Sequence, residues 1–183
     1  MENSNLLLTY LAILLVLLSI AAFFVVRQVF KTRRIETTLS KLQSRLTKEK
    51  GTAQDYYELG SLLLDKKLYT QAALYLQQAL KQVVKDESEN TAVVYNALGY
   101  AYFAQEQYDL AIRNYKEALK VSPGYVTALN NLGHSYERKQ LMTQALESYE
   151  SALALEPTNA TAKRRAESLQ KRLVISDKLN SGS

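Results

Sequence analysis

Tyr95-Asn96-Ala97-Leu98-Gly99-Tyr100-Ala101-Tyr102 is answered 34 residues later by Leu129-Asn130-Asn131-Leu132-Gly133-His134-Ser135-Tyr136. The correspondence continues downstream. Ala111, Tyr115, Ala118 and Pro123 map onto Ala145, Tyr149, Ala152 and Pro157 at the same interval. A third copy lies upstream in Tyr56, Leu59-Gly60, Leu63, Ala72, Leu76 and Ala79. A fixed period of this length marks a stack of helical hairpins, each burying its apolar face only against its neighbours. Such stacks present an extended surface to partners and seldom carry out chemistry.

Each copy reads as two helices joined by a tight turn. Tyr95, Leu98, Tyr102 and Phe103 give the first helix its apolar stripe, and Leu110, Ala111, Ile112, Tyr115, Ala118 and Leu119 give the second. Gly99 and Gly133 fall inside helices, where glycine costs about 1 kcal/mol relative to alanine. A close helix crossing is the expected compensation, with Ala111, Ala118, Ala145 and Ala152 as the matching small residues. Tyr115 and Tyr149 are expected to fill the space between repeats. Pro123 and Pro157 end the second helices.

These residues resemble the tetratricopeptide repeat, whose pattern is aromatic-x-x-Leu-Gly-x-x-Tyr, then Ala-x-x-x-Phe, then Pro. The first copy departs from it, with Val84 at the proline position and five extra residues around 87–91, so that Gly60 to Gly99 spans 39 positions. The polar run from Lys85 to Asn90 reads as a longer turn, after which Thr91 can cap the next helix. The repeats are thus placed at 53–86, 92–125 and 126–159. Residues 160–175 read as a capping helix packed through Ala162, Ala166, Leu169 and Leu173, and Ser176 to Ser183 as a frayed tail.

Leu6 to Val26 holds no charged residue across 21 positions, and fifteen of them are Leu, Ile, Val or Phe. That length spans about 31 Å as a helix, close to the hydrocarbon thickness of a bilayer, with insertion favoured by roughly 5 to 8 kcal/mol. A cleaved signal peptide fits less well, because Glu2 stands where a basic region belongs and the apolar run is too long. Arg27, Lys31, Arg33 and Arg34 follow, so the positive-inside rule sets the repeats on the cytoplasmic side, or the stromal side of a plastid. Residues 27–51 read as a basic amphipathic stalk helix with Ile35, Leu39, Leu42 and Leu46 as a narrow seam. That seam suits either packing as an N-terminal cap or self-association. The fold class is all-α: an anchor over 1–26, the stalk, three repeats over 52–159 in a right-handed solenoid, and the cap with its tail over 160–183.

Charge is segregated. The net +5 divides into −1 over 1–26, +6 over 27–50, −4 over 51–159 and +4 from residue 160 onward. A nucleic-acid groove would be basic with stacking aromatics, so the acidic repeats argue against nucleic acid. No cysteine is present and His134 is the only histidine, so no metal or catalytic constellation is legible, and no Gly-rich phosphate loop appears. The chain reads as non-enzymatic, without a cofactor or metal.

In the tetratricopeptide family the first helix of each pair lines the binding groove. The resemblance therefore implies Tyr57, Ser61 and Leu64, then Asn96, Tyr100 and Phe103, then Asn130, His134, Glu137 and Arg138 as groove residues. The cationic clamp by which some members hold chaperone C-termini is absent, since the matching positions are Tyr57, Ser61, Ala97, Thr127 and Asn131. The short acidic N-terminus, single anchor, stalk (Arg33-Arg34-Ile35-Glu36, then Leu39-Ser40-Lys41-Leu42-Gln43) and three repeats together resemble a narrower family. Its members are the small membrane-anchored tetratricopeptide proteins of cyanobacteria and algal plastids that assist photosystem I assembly. That resemblance implies a thylakoid location and protein partners among photosystem I subunits or assembly intermediates. The rival reading is a membrane-anchored receptor for precursor or targeting peptides, whose amphipathic helices would suit an aromatic groove. A self-assembling structural role is a third.

Overall fold

In the computed structural model of the protein, residues 2–83 and 89–181 are described, and eight α-helices account for most of them. They are α1 (Glu2–Lys48), α2 (Ala53–Asp65), α3 (Tyr69–Gln82), α4 (Glu89–Ala104), α5 (Tyr108–Val121), α6 (Val126–Arg138), α7 (Met142–Leu155) and α8 (Ala160–Ser181). The chain divides into two compact units, 1–48 and 49–183. The proline position at Val84 and the extra turn up to Ser88 lie outside the described residues, as do Gly182 and Ser183.

The first unit is one unbroken helix of 47 residues. The expected anchor and stalk are therefore continuous, since no glycine or proline interrupts residues 2–48. Within it Tyr10–Phe30 is long and apolar enough to cross a membrane by length and composition. Two of its hydroxyls bond within the helix. Ser19 donates to the Leu15 carbonyl and Thr37 to the Arg33 carbonyl, each at 2.8 Å. The side chain of Ile35, a member of the proposed seam, lies outside the described residues.

In the second unit, hairpins α2–α3, α4–α5 and α6–α7 stack in chain order, and α8 packs on α7. The first helices of successive hairpins also touch, α2 on α4 and α4 on α6. Thr52 and Asp55 form a reciprocal capping box that starts α2, with Asp55 N–H donating to Thr52 Oγ1 at 3.2 Å and Thr52 N–H donating to Asp55 Oδ2 at 2.9 Å. α4 begins at Glu89, so Thr91 does not cap it as expected. Thr91 and Ala92 lie within its first turn, both buried. Pro123 and Pro157 stand just past α5 and α7, where Tyr125 N–H returns to the Ser122 carbonyl and Asn159 N–H to the Glu156 carbonyl. Asn159 Oδ1 then accepts from Ala162 N–H and caps α8. That helix runs to Ser181, past the Ile175 boundary read from the sequence.

The glycines explain how each hairpin closes. A methyl carbon on Gly99 would sit 2.7 Å from the Tyr115 ring, and one on Gly133 would sit 2.9 Å from the Tyr149 ring. In the first hairpin Leu76 takes the tyrosine's place, 2.7 Å from such a carbon on Gly60. The two rings thus lie against the glycine of their own hairpin as well as in the core shared with the next repeat, where Leu129, Leu132 and Tyr136 join them. The sequence reading had placed them only in the second position. Ala111, Ala118, Ala145 and Ala152 are fully buried, as small crossing residues require.

Each hairpin turn holds one non-glycine residue in the left-handed region: Lys67, Glu106 and Gln140, all with φ near 60°. Around them the same two bonds recur. Lys67, Glu106 and Gln140 N–H donate to the carbonyls of Leu64, Phe103 and Glu137. Leu68, Gln107 and Leu141 N–H donate to those of Leu63, Tyr102 and Tyr136. This is a Schellman ending, repeated three times with Lys, Glu and Gln where glycine is commonest.

Candidate protein-binding cleft

The first helices of the hairpins converge on a cleft of about 450 Å³. α2 contributes Tyr57, Ser61, Leu64 and Asp65. The following turn and α3 contribute Lys67 and Tyr69. α4 contributes Asn96, Ala97 and Tyr100, and α6 contributes Asn131. The rings of Tyr69 and Tyr100 meet edge to face at 6.3 Å, forming an aromatic wall, and Tyr100 is 42% exposed.

Amides bridge the repeats beside that wall. Asn131 Nδ2 donates to Asn96 Oδ1 at 3.0 Å, and Asn96 Nδ2 donates to the Tyr125 hydroxyl at 3.3 Å. Burial, the neighbouring Tyr57 and, in opposition, the Asn96 bond leave the Tyr125 phenol above its ordinary pKa, so it stays neutral. Each amide group has a second N–H beyond these bonds. The cleft therefore offers stacking surface, amide donors and a mouth carrying one carboxylate and one ammonium.

Of the ten groove residues expected from the sequence, Tyr57, Ser61, Leu64, Asn96 and Tyr100 line this cleft. The other five do not, and the structure gives most of them different work. Phe103 packs on His134 with ring centroids 4.7 Å apart and on Tyr108 at 5.5 Å. Arg138 lies over the Tyr108 ring at 5.3 Å, donates from Nε to its hydroxyl at 2.9 Å, and pairs with Glu106 at 3.6 Å. Glu137 accepts from the Tyr149 hydroxyl at 2.6 Å and from Arg165 at 3.3 Å, tying α8 to the third hairpin. Asn130 keeps its Oδ1 buried without a partner among the described residues.

Asp65, Lys67, Tyr69, Ala97 and Asn131 were not read as groove residues. Tyr69 belongs to a second helix, which the pattern assigns to the core side, and Lys67 sits in a turn. Asn131 adjoins Asn130, and a repeat pattern does not say which amide of the pair faces its counterpart in the preceding hairpin.

Electrostatics separate the cleft from the His134 cluster. Burial holds the His134 imidazole below its ordinary pKa, Arg165 pushes it further down, Glu137 opposes, and Arg138 lowers it again. Burial and the bond to Glu137 keep the Tyr149 phenol well above its ordinary value, and burial does the same at Tyr115. Among the described residues no group of three His, Cys, Asp or Glu side chains is placed to hold a metal.

Stacked hairpins with intrahelical glycines, and a cleft built across three of them, define a tetratricopeptide-type scaffold. A tetratricopeptide repeat model matches residues 126–159 and a second repeat model matches 99–140. The chain is 38% identical over 121 residues to the chloroplastic tetratricopeptide repeat domain-containing protein PYG7 of Arabidopsis thaliana, covering 66% of this chain and 40% of that one. It is 38% identical over 105 residues to the ycf37 protein of Cyanophora paradoxa, 57% of this chain and 60% of that one. With the ycf37 protein of Guillardia theta it shares 33% identity over 120 residues, 66% of this chain and 67% of that one. The chain belongs to the ycf37 family of tetratricopeptide repeat proteins. Among solved structures, MamA superposes with a TM-score of 0.72 at 19% identity, covering 81% of this chain and 78% of that one. The first repeat domain of Spaghetti (RPAP3), bound to the HSP90 peptide SRMEEVD, gives 0.62 at 20% identity, covering 67% and 94%. At that identity these two bear on the fold alone.

Proposed function

We propose that the chain is a membrane-tethered docking scaffold that holds a segment of a protein partner in its repeat cleft. In doing so it assists the assembly or stability of a membrane complex, photosystem I in the reading carried by the family resemblance. The observation that carries the proposal is the cleft itself, with the edge-to-face pair Tyr69–Tyr100 beside the amide pair Asn96–Asn131. Such a surface recognises a peptide by stacking and by hydrogen bonds to its backbone, with no need of a charged terminus. That agrees with the missing cationic clamp.

Tyr10–Phe30 is the anchor in this reading, and tethering raises the effective concentration of the cleft for membrane-bound partners. The cation excess after the apolar run supports a cytoplasmic or stromal cleft. The chloroplastic relative supports a thylakoid location. Tyr57, Ser61, Leu64, Asn96 and Tyr100 contact the partner, joined by Tyr69 and Asn131. Affinity capture from detergent-solubilised membranes tests the reading. Photosystem I subunits are the expected catch. A mixture of unfolded precursors without photosystem proteins would overturn it in favour of a precursor receptor.

A further inference from the structure

The last helix is built differently from those of the repeats. α8 has 22 residues, against 13 to 16 in α2 to α7. Its buried contacts, Ala162, Ala166 and Leu169, all fall in the first half, and Leu173 is half-buried. Beyond that point Val174 and Ile175 are 54% and 58% exposed. Arg164, Lys171 and Ile175 fall within about 40° of one another around the helix axis, on the side away from the buried stripe. Lys163, Arg172 and Val174 flank that ridge, all exposed, with Glu167 the acidic residue among them. None of the four cations forms an ion pair among the described residues. The segment from residue 160 carries +4 while the repeats carry −4.

We infer that the outward face of α8 is a membrane-surface contact that lies on anionic lipid headgroups. The charge sign selects such a surface, and Val174 and Ile175 supply the apolar pair that such helices sink into the headgroup boundary. A core helix would have covered these aliphatics, and here they lie beside cations that make no ion pair among the described residues. The inference rests on the tethered reading above. A chain already held at a bilayer needs only a weak second contact to orient its cleft, because the lipid is present at high effective concentration.

The absence of cysteine allows single-site labelling of the full chain in lipid nanodiscs. A bimane at Val16→Cys reports insertion of the apolar span, and one at Val174→Cys reports the α8 face. With phosphatidylglycerol-containing discs, the Val174→Cys label is expected to shift to the blue and to be quenched by lipid-borne quenchers. Both signals should be lost in pure phosphatidylcholine, at high salt, and in Arg164→Glu/Lys171→Glu, whose helix content should match the parent by circular dichroism. A Val16→Cys label in water sinks the tethered reading. A buried Val16→Cys label with a Val174→Cys label that stays water-exposed on both lipids overturns the α8 inference alone, and would leave this face to an acidic protein surface.

Discussion

Gly99 and Gly124 are separated by 25 residues and face opposite constraints. At Gly99 a methyl carbon meets the Tyr115 ring at 2.7 Å, while at Gly124 nothing lies within 4 Å. Gly99→Ala gains helix propensity but forces the ring aside, so a net loss of about 1 to 2 kcal/mol is expected from the overpacking range less the propensity gain. Gly124→Ala should be neutral or stabilise by about 0.5 kcal/mol through the unfolded chain. Urea unfolding of the pair checks both, and equal midpoints would refute the close-crossing account. Glu106 is the converse case, a side chain held at φ 60°. Glu106→Gly should stabilise by up to about 1 kcal/mol by relieving that conformation, and Glu106→Val should destabilise, since a β-branched residue resists it. Thermal melts of the three proteins order them.

His134 adds a pH dependence at the same scale. Its folded pKa lies below the ordinary 6.5, so between the two values the unfolded chain binds more protons. The stability it contributes is fully present above 6.5 and is lost as pH falls through 6.5 toward the lowered value. Wild type should therefore lose more stability than His134→Gln between about pH 7.5 and about pH 5.5. Parallel losses, measured by denaturant unfolding, would show that burial and the Arg165 and Arg138 charges do not lower the imidazole pKa in the folded chain.

Among the elements, α8 closes the stack through apolar burial and through Glu137. That carboxylate accepts from both the Tyr149 hydroxyl on α7 and Arg165 on α8. Glu137→Ala leaves a buried phenol and a half-buried guanidinium without their acceptor, a loss of about 1 to 3 kcal/mol. Hydrogen exchange should show the added opening in α7 and α8, with α2 and α3 unchanged, because a stack of repeats couples mainly neighbour to neighbour. Protection lost uniformly along the second unit would contradict this. The existence of these helices was legible in residue order, because a 34-residue period and a 3.6-residue stripe are local properties. Their joints were not. Lys67, Glu106 and Gln140 carry no turn signature, and their conformation goes with the hydrogen bonds that close the last turn of each first helix.

For the whole molecule, partner capture should depend on residues from three hairpins at once. Tyr69→Ala with Tyr100→Ala removes the aromatic wall, and Asn131→Ala removes the amide bridge to Asn96. Each should weaken capture several-fold while circular dichroism stays that of the parent. Capture that survives both would move the binding surface off the cleft. Five of the ten groove residues named from the sequence line this cleft, and they share a reason: each lies on the solvent side of a first helix, a direction that helical period encodes. Phe103, Glu137 and Arg138 occupy equivalent faces, yet Tyr108, Tyr149 and Arg165 engage them across the stack.

Residue order by itself settled that the chain is helical, that it repeats, that its charge is segregated, and that one stretch is apolar enough to span a bilayer. Periodicity and hydropathy act between near neighbours, so they can be read without coordinates. Only the tertiary structure decided that tyrosine rings seat on the glycines of their own hairpins. It also decided that Asn131 bridges to Asn96, and that Tyr69 joins a wall with Tyr100. Those contacts join residues some 16 to 35 positions apart, and their geometry is set by how helices cross.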